Sequence, residues 1–232
     1  ANIFLYQKDN DTLITHESMR ERIDGVASKG KKVFITEREI DEDKNKYDSS
    51  LGGEHNRYYI SIAKHVAQIL NISDESFTKS VAIFKGVAGR QEMARELDGV
   101  RYINDTTATT GEASIVALDT FSDNKIVLIT GGRGKELDMT SYANKVIDLY
   151  SKGIIKKVIL LHDGTTTGTH KLIEILKEKN FNDYVLSDSI NAAVNLAHEF
   201  ASEGDVVLFT PAFASFGMFE NEYDRGDKYN KA

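Results

Sequence analysis

Along the second half of the chain, short runs that are apolar on both faces alternate with stretches whose apolar residues fall at helical spacing. Lys125–Thr130 (KIVLIT), Lys157–Leu161 (KVILL) and Val206–Thr210 (VVLFT) are the strongest runs, joined by Val100–Asn104 and Tyr184–Leu186. Gly111–Phe121, Tyr142–Tyr150, Lys171–Lys179 and Ile190–Ala201 are the helical stretches between them. Strands buried on both faces belong under helices on both sides, as in parallel sheets. Repeated strand–helix alternation of this kind predicts an open, mostly parallel sheet of Rossmann-like α/β type, with right-handed crossovers.

The first half is less regular. Asn2–Tyr6 and Lys32–Thr36 read as strands, His16–Asp24 as a short helix and Asn56–Leu70 as a longer one. The polar tract Ile40–Ser50 reads as a solvated surface turn. Asn71–Glu75 reads as a hinge before a short helix starting near Ser76, and a domain boundary is expected near Phe84–Gly86. Two motif matches fail on their own terms. Gly25–Lys32 (GVASKGKK) has P-loop spacing, but Lys32 stands where Ser or Thr must bind magnesium, and the segment runs from helix to strand. Asp41, Asp43 and Asn45 imitate a calcium loop, but Lys46 replaces its glycine.

Composition narrows the function classes. With 41% hydrophobic and 28% charged residues in 232, the chain is globular rather than disordered. The 29 basic and 36 acidic residues give a net charge of −7, which disfavours nonspecific nucleic-acid binding. Zero cysteines exclude disulfides, thiolate zinc sites and a cysteine nucleophile, and fit a cytoplasmic location. No apolar run reaches the roughly 18 residues of a membrane span, and the N-terminus lacks a signal-peptide pattern. Proline occurs once, at Pro211.

Ligands of open parallel sheets gather at the C-terminal ends of the strands, which singles out four segments. In Asn104–Gly111 (NDTTATTG), Asp105 is suited to a ribose, while Thr106, Thr107 and Thr109 line a helix start suited to anions. Helix capping explains one such residue but not the row. In Gly131–Lys135 (GGRGK), the glycines allow close backbone approach, and Arg133 and Lys135 supply cations. His162–Gly164 carries no assigned role. Thr210–Arg225 is expected to lead through Ala212, Ala214 and Ser215 into an aromatic helix with Phe213, Phe216 and Phe219, the Ser215 hydroxyl gripping a carboxylate.

Taken in order, these segments resemble the Mur ligases, ATP-dependent amide-forming enzymes of peptidoglycan assembly. Leu51–Asn56 (LGGEHN) resembles the family's central-domain L-x-G-x-H-N motif, and Gly86–Glu92 (GVAGRQE) the opening of its C-terminal domain. Gly99–Thr109 (GVRYINDTTAT) resembles the N-D-S-K-A-T segment of the D-glutamate-adding branch, and the D-N-P-R signature of the diaminopimelate-adding branch is absent. Gly131–Lys135, Thr210–Ser215, Phe219 and Arg225–Gly226 complete the order.

The resemblance implies nucleotide contacts from Asn56, Arg90 and Asp105, and substrate contacts from Thr109, Lys135, Ser215, Arg133 and Phe219. It implies residues 1–83 as a partial central, ATP-binding domain without its P-loop, and 84–232 as a Rossmann-like C-terminal domain. ATP with Mg2+, UDP-MurNAc-L-alanine and D-glutamate are the implied cofactors and substrates of the full-length enzyme. The chain is then expected to be part of a longer ligase. It should form no acyl phosphate alone and bind no cofactor tightly, holding no catalytic or metal-ligating residue of its own. A truncated central sheet has unpaired edges, which suits a dimer through residues 1–83. Thr107 stands where the branch usually has lysine, with Arg133 the expected compensation, and Tyr59 replaces an expected asparagine. A folylpolyglutamate synthase-like ligase and a stand-alone Rossmann-like binding module are the competing readings.

Overall fold

The computed structural model describes residues 6–26 and 29–232. It divides into two compact units that meet between Lys85 and Gly86. The strand expected at Asn2–Tyr6 lies almost entirely outside the described residues.

In the first unit, β1 (Thr12–His16) pairs in parallel with β2 (Lys31–Ile35) through a 3-10 turn and α1 (Arg20–Asp24). Lys32 donates from Nζ to the Ile23 carbonyl at 3.1 Å, so the lysine of the P-loop look-alike caps a helix end. The tract expected as a surface turn is instead a helix, α2 (Glu37–Lys46), capped by the Thr36 hydroxyl on the Glu39 N–H. Its charged composition hides an inward face: Ile40, Asp43 and Tyr47 are buried. Asp43 accepts from Ser61 Oγ at 2.8 Å and pairs with Lys64 of α3 (Glu54–Ile69), while Glu39 accepts from the same Lys64 Nζ. A buried carboxylate is tolerable only with such partners, and they lie too far along the chain for local pattern to reveal. Ser73 caps α4 (Asp74–Ile83), whose Phe77 meets Tyr47 edge-on at 5.1 Å.

The second unit is a six-stranded sheet in the order β3-β4-β8-β5-β6-β7. Its strands are β3 (Glu92–Leu97), β4 (Val100–Asn104), β5 (Ile126–Thr130), β6 (Ile155–Leu161), β7 (Tyr184–Ser187) and β8 (Val206–Phe209). All pairings are parallel except the edge strand β3, which runs antiparallel to β4. Its polar sequence, EMAREL, gives no strand signal because an edge strand needs only one neighbour. The helices are α5 (Gly111–Thr120), α6 (Thr140–Ser151), α7 (Thr167–Glu178), α8 (Ile190–Phe200) and α9 (Glu222–Lys231).

Strand alternation sorts the core into two layers. Ile126, Leu128, Val206 and Leu208 pack with Leu118, Tyr142, Val146, Leu172 and Leu176 from α5, α6 and α7. Val127, Ile129, Val207 and Phe209 pack with Ile190, Val194 and Tyr229 from α8 and α9. The chain therefore crosses one face three times, returns over the other, and inserts β8 between β4 and β5. The reversal puts the topological switch point at those three strands, where an open α/β sheet binds ligands.

The aromatic helix expected after Thr210 is absent. Residues 210–221 form an irregular loop, and the helix begins only at Glu222, where Asn221 Oδ1 accepts from the N–H groups of Tyr223 and Asp224. Phe213 packs on one side of the sheet and Phe219 on the other, which one helical face could not achieve.

Candidate functional site

The loops after β4, β8 and β5 are tied together beneath the surface. Asp105 is 5% exposed and accepts from the Gln91 N–H at 3.1 Å and from Thr210 Oγ1 at 2.9 Å. Burial pushes its carboxyl up to about 6, against the pull of those two donors and the nearby Arg90 charge. On the other side of Thr210, the Ser114 hydroxyl lies 2.8 Å away. Tyr142 donates to Thr130 Oγ1, which donates to the Pro211 carbonyl, so α6, β5 and the β8 loop share one buried relay. That gives the lone proline a place: its carbonyl also accepts the Gly131 N–H at 3.0 Å.

Arg225 reaches up from α9, fully buried, and donates to Thr106 Oγ1, the Thr106 carbonyl and the Phe213 carbonyl. Among the described residues no carboxylate pairs with it, and burial draws its guanidinium down to about 10. Further stitches are backbone to backbone: Arg133 and Ala214 exchange N–H···O bonds at 2.9 and 3.0 Å, and the Ala212 N–H donates to the Ala108 carbonyl at 2.9 Å.

Glycines make this packing feasible. Gly132 has φ +152°, and a Cβ there would come within 2.5 Å of the Ala214 carbonyl oxygen. A Cβ on Gly168 would enter the Phe213 ring and lie 2.8 Å from the Gly134 nitrogen. The glycine turn therefore rests directly on the start of α7, where the Gly132 carbonyl accepts the N–H groups of Gly168 and Thr169. That close contact helps shape a cleft of about 380 Å³. Thr109, Arg133, Lys135, Lys171 and Phe213 are among the side chains that line it.

Of the residues singled out from sequence, Thr109, Arg133 and Lys135 meet in this cleft, with Lys135 Nζ donating to Thr109 Oγ1 at 2.8 Å. Arg90 and Asp105 meet at the 87–91 turn beside the end of β4. Ser215 and Phe219 do not line the cleft: Ser215 is buried in the irregular 210–221 loop, not in the first turn of a helix, and Phe219 joins the core on the opposite sheet face. Asn56 belongs to the first unit, where its Nδ2 donates to the Gly52 carbonyl at 2.6 Å. The threonine row is divided: Thr106 serves Arg225, Thr107 donates to the Gly89 carbonyl at 2.9 Å, and Thr110 caps α5. Only Thr109 of the row lines the cleft.

Lys171, to which the sequence assigned no role, lines the cleft, and so does Phe213, expected in an aromatic helix but placed in a loop. The spacing of Thr167 and Lys171, i and i+4 on the first turns of the helix after β6, carried a signal for the former. Among the described residues, no three His, Asp or Glu side chains converge as a group that could hold a metal ion. No helix there is long and apolar enough to cross a membrane.

The second unit is thus a Rossmann-like α/β domain with a cleft at the switch point, walled by glycines and lined by cations. The family described as Mur ligase, glutamate ligase domain, matches residues 89–213. A Roseiflexus relative, strain RS-1, named UDP-N-acetylmuramoylalanine–D-glutamate ligase, is 40% identical over 79% of this chain and 38% of its own length. The Aquifex aeolicus protein of the same name is 33% identical over 99% of this chain and 54% of its own. The chain belongs to the Mur ligase family. It spans 38% and 54% of the length of these two curated relatives. Among solved structures, the MurF ligase of Thermotoga maritima in complex with ADP superposes with a TM-score of 0.62 at 17% identity, covering 99% of this chain and 54% of its own. A folylpolyglutamate synthase of Mycobacterium tuberculosis reaches 0.55 at 14% identity, covering 71% and 39%. These likenesses show the α/β fold.

Proposed function

We propose that this chain supplies the amino-acid-binding part of a peptidoglycan ligase that adds D-glutamate to UDP-MurNAc-L-alanine at the expense of ATP. In that reaction the UDP-MurNAc-L-alanine carboxylate takes a phosphoryl group from ATP, and the D-glutamate amine attacks the acyl phosphate, releasing phosphate. Residues 84–232 are the C-terminal domain in this reading, and 1–83 part of the central one, in a cytoplasmic enzyme. In this reading Arg90 and Asp105, at the end of β4, are nucleotide contacts.

The observation that carries the reading is the Lys135–Thr109 pair, an ammonium and a hydroxyl 2.8 Å apart in a cleft with Arg133. Two donors at that separation match the two oxygens of one carboxylate, and charge-assisted bonds of this kind are the strong ones. Because the loops that carry them are pinned from below, the amino acid would be held in one orientation and its amine presented consistently.

Titrating the isotope-labelled chain with D-glutamate, L-glutamate and ADP, followed by NMR, tests the reading. D-selective shifts around Lys135 and Thr109 support it. L-selective shifts favour a folylpolyglutamate synthase-like enzyme, and no response to either enantiomer overturns it. The chain alone is expected to release no ADP from ATP in the presence of the other substrates.

A further inference from the structure

We infer that His162 and His170 form a two-imidazole site for a first-row transition-metal dication such as Zn2+, apart from the proposed ligase chemistry. His162 follows β6 directly, and His170 lies in the first turn of α7; neither lines the cleft. Alternation along β6 explains why they meet. Val158 and Leu160 face the layer that holds α7, and Ile159 and Leu161 face the opposite one, so the next residue, His162, returns to the α7 side. There the two rings lie with centroids 4.4 Å apart and planes at 61°.

Both positions are held by the backbone. The His162 N–H donates to the Ser187 carbonyl at 2.7 Å and the His170 N–H to the Thr166 carbonyl at 3.2 Å. Thr169 Oγ1 donates to the Leu161 carbonyl at 2.8 Å, tying together the residues that precede the two histidines. Ligands fixed in this way are what a metal chelate requires. The ring nitrogens are also uncommitted. Among the described residues neither imidazole makes a hydrogen bond or ion pair, whereas His16, His65 and His198 spend theirs on Ser18, Glu39 and Tyr102. A zinc ion sits about 2.0–2.1 Å from an imidazole nitrogen and therefore about 3 Å from the ring centre. Two centres 4.4 Å apart then suit neighbouring corners of one coordination sphere. Imidazole selects zinc, nickel or copper, while magnesium prefers oxygen ligands. Asp163 turns its carboxylate to the N–H and hydroxyl of Thr165, and no third acidic or histidine side chain joins the pair among the described residues. Water completes the sphere.

The test titrates the isotope-labelled chain with Zn2+ alone and follows the imidazole signals by NMR, with Mg2+ as the comparison ion. Zn2+ should move the His162 and His170 signals together, with one ion bound per chain, and Mg2+ should leave them in place. His162→Gln and His170→Gln should each weaken Zn2+ binding about tenfold or more, since even groups that only support a metal ligand act on that scale. The backbone spectrum of each variant reports whether it folds. An ion that binds only the folded chain stabilises it, so Zn2+ should raise the thermal midpoint of the wild type more than that of either variant. Unmoved His162 and His170 signals in the wild type overturn the inference, as does Zn2+ affinity that survives intact in either folded variant. D-glutamate plays no part in these measurements, so the proposed function stands or falls separately.

Discussion

Arg225 and Thr106 are joined twice: Nη2 donates to the Thr106 carbonyl at 2.6 Å and Nε to its hydroxyl at 3.0 Å, from a fully buried guanidinium. One residue of the last helix thus holds the start of the β4 loop, and through the Phe213 carbonyl it holds the β8 loop as well.

Arg225→Ala should leave two buried carbonyls without donors, and each orphaned group costs about 1–3 kcal/mol. Relief of the desolvated charge offsets part of this, so a net loss of about 2–4 kcal/mol is expected in urea denaturation. Arg225→Lys should recover little, since one ammonium cannot reproduce a planar fork reaching two loops.

Asp105 predicts a pH dependence of opposite sense to that of a salt-bridged acid. Its folded carboxyl sits at about 6, above its ordinary value of 3.8, so between these values the folded chain holds the proton more tightly than the unfolded one. Its contribution therefore favours folding at low pH, declines as pH rises from about 4 to 6, and is constant above. The fall amounts to about 3 kcal/mol at most. Urea midpoints of wild type minus Asp105→Asn, measured across that window, should trace the decline; a flat difference would remove burial as the dominant influence on Asp105.

Arg133 contributes to the fold through its backbone and to the cleft through its side chain. Arg133→Glu should leave thermal unfolding nearly unchanged while lowering D-glutamate affinity about tenfold or more, because it replaces attraction with repulsion at short range. Intact affinity would dismiss Arg133 as the compensation for Thr107.

Gly168→Ala should act on both. The added methyl has to displace Phe213 or the glycine turn, and overpacking of this kind costs about 1–3 kcal/mol. Because the displaced turn carries Arg133 and Lys135, ligand affinity should fall as well, a pairing of effects that Arg133→Glu lacks.

In the first unit, Lys64→Met should destabilise by about 3 kcal/mol or more, since it strands the buried Asp43 carboxylate with only Ser61 as partner. Adding Asp43→Leu should recover part of the loss, as measured by thermal unfolding of the double variant.

The sheet of the second unit was legible because parallel strands buried on both faces must be apolar throughout, so KIVLIT, KVILL and VVLFT declare themselves. The antiparallel edge β3 and the helix α2 were not. Their residues are mostly polar, and what makes them regular is a neighbour: β4 for the one, Lys64 and Ser61 of α3 for the other. In the site, Thr109, Arg133 and Lys135 could be named because glycines, hydroxyls and cations directly after strands carry their own meaning. Ser215 was placed at the start, and Phe219 within the body, of an aromatic helix that does not exist, since Gly217 at φ +108° and opposed burial of Phe213 and Phe219 keep the loop irregular.

Sequence alone determined the α/β class, the order of most strands and helices along the chain, and the loops that could meet a ligand, because these follow from local periodicity and from residues with special backbone or charge. Tertiary structure decided the strand order that inserts β8 between β4 and β5, the sinking of Arg225 and Asp105 beneath the loops, and the arrival of Lys171 in the cleft. Those depend on contacts between residues far apart in the chain, where burial and packing set the energy and no local pattern records the outcome.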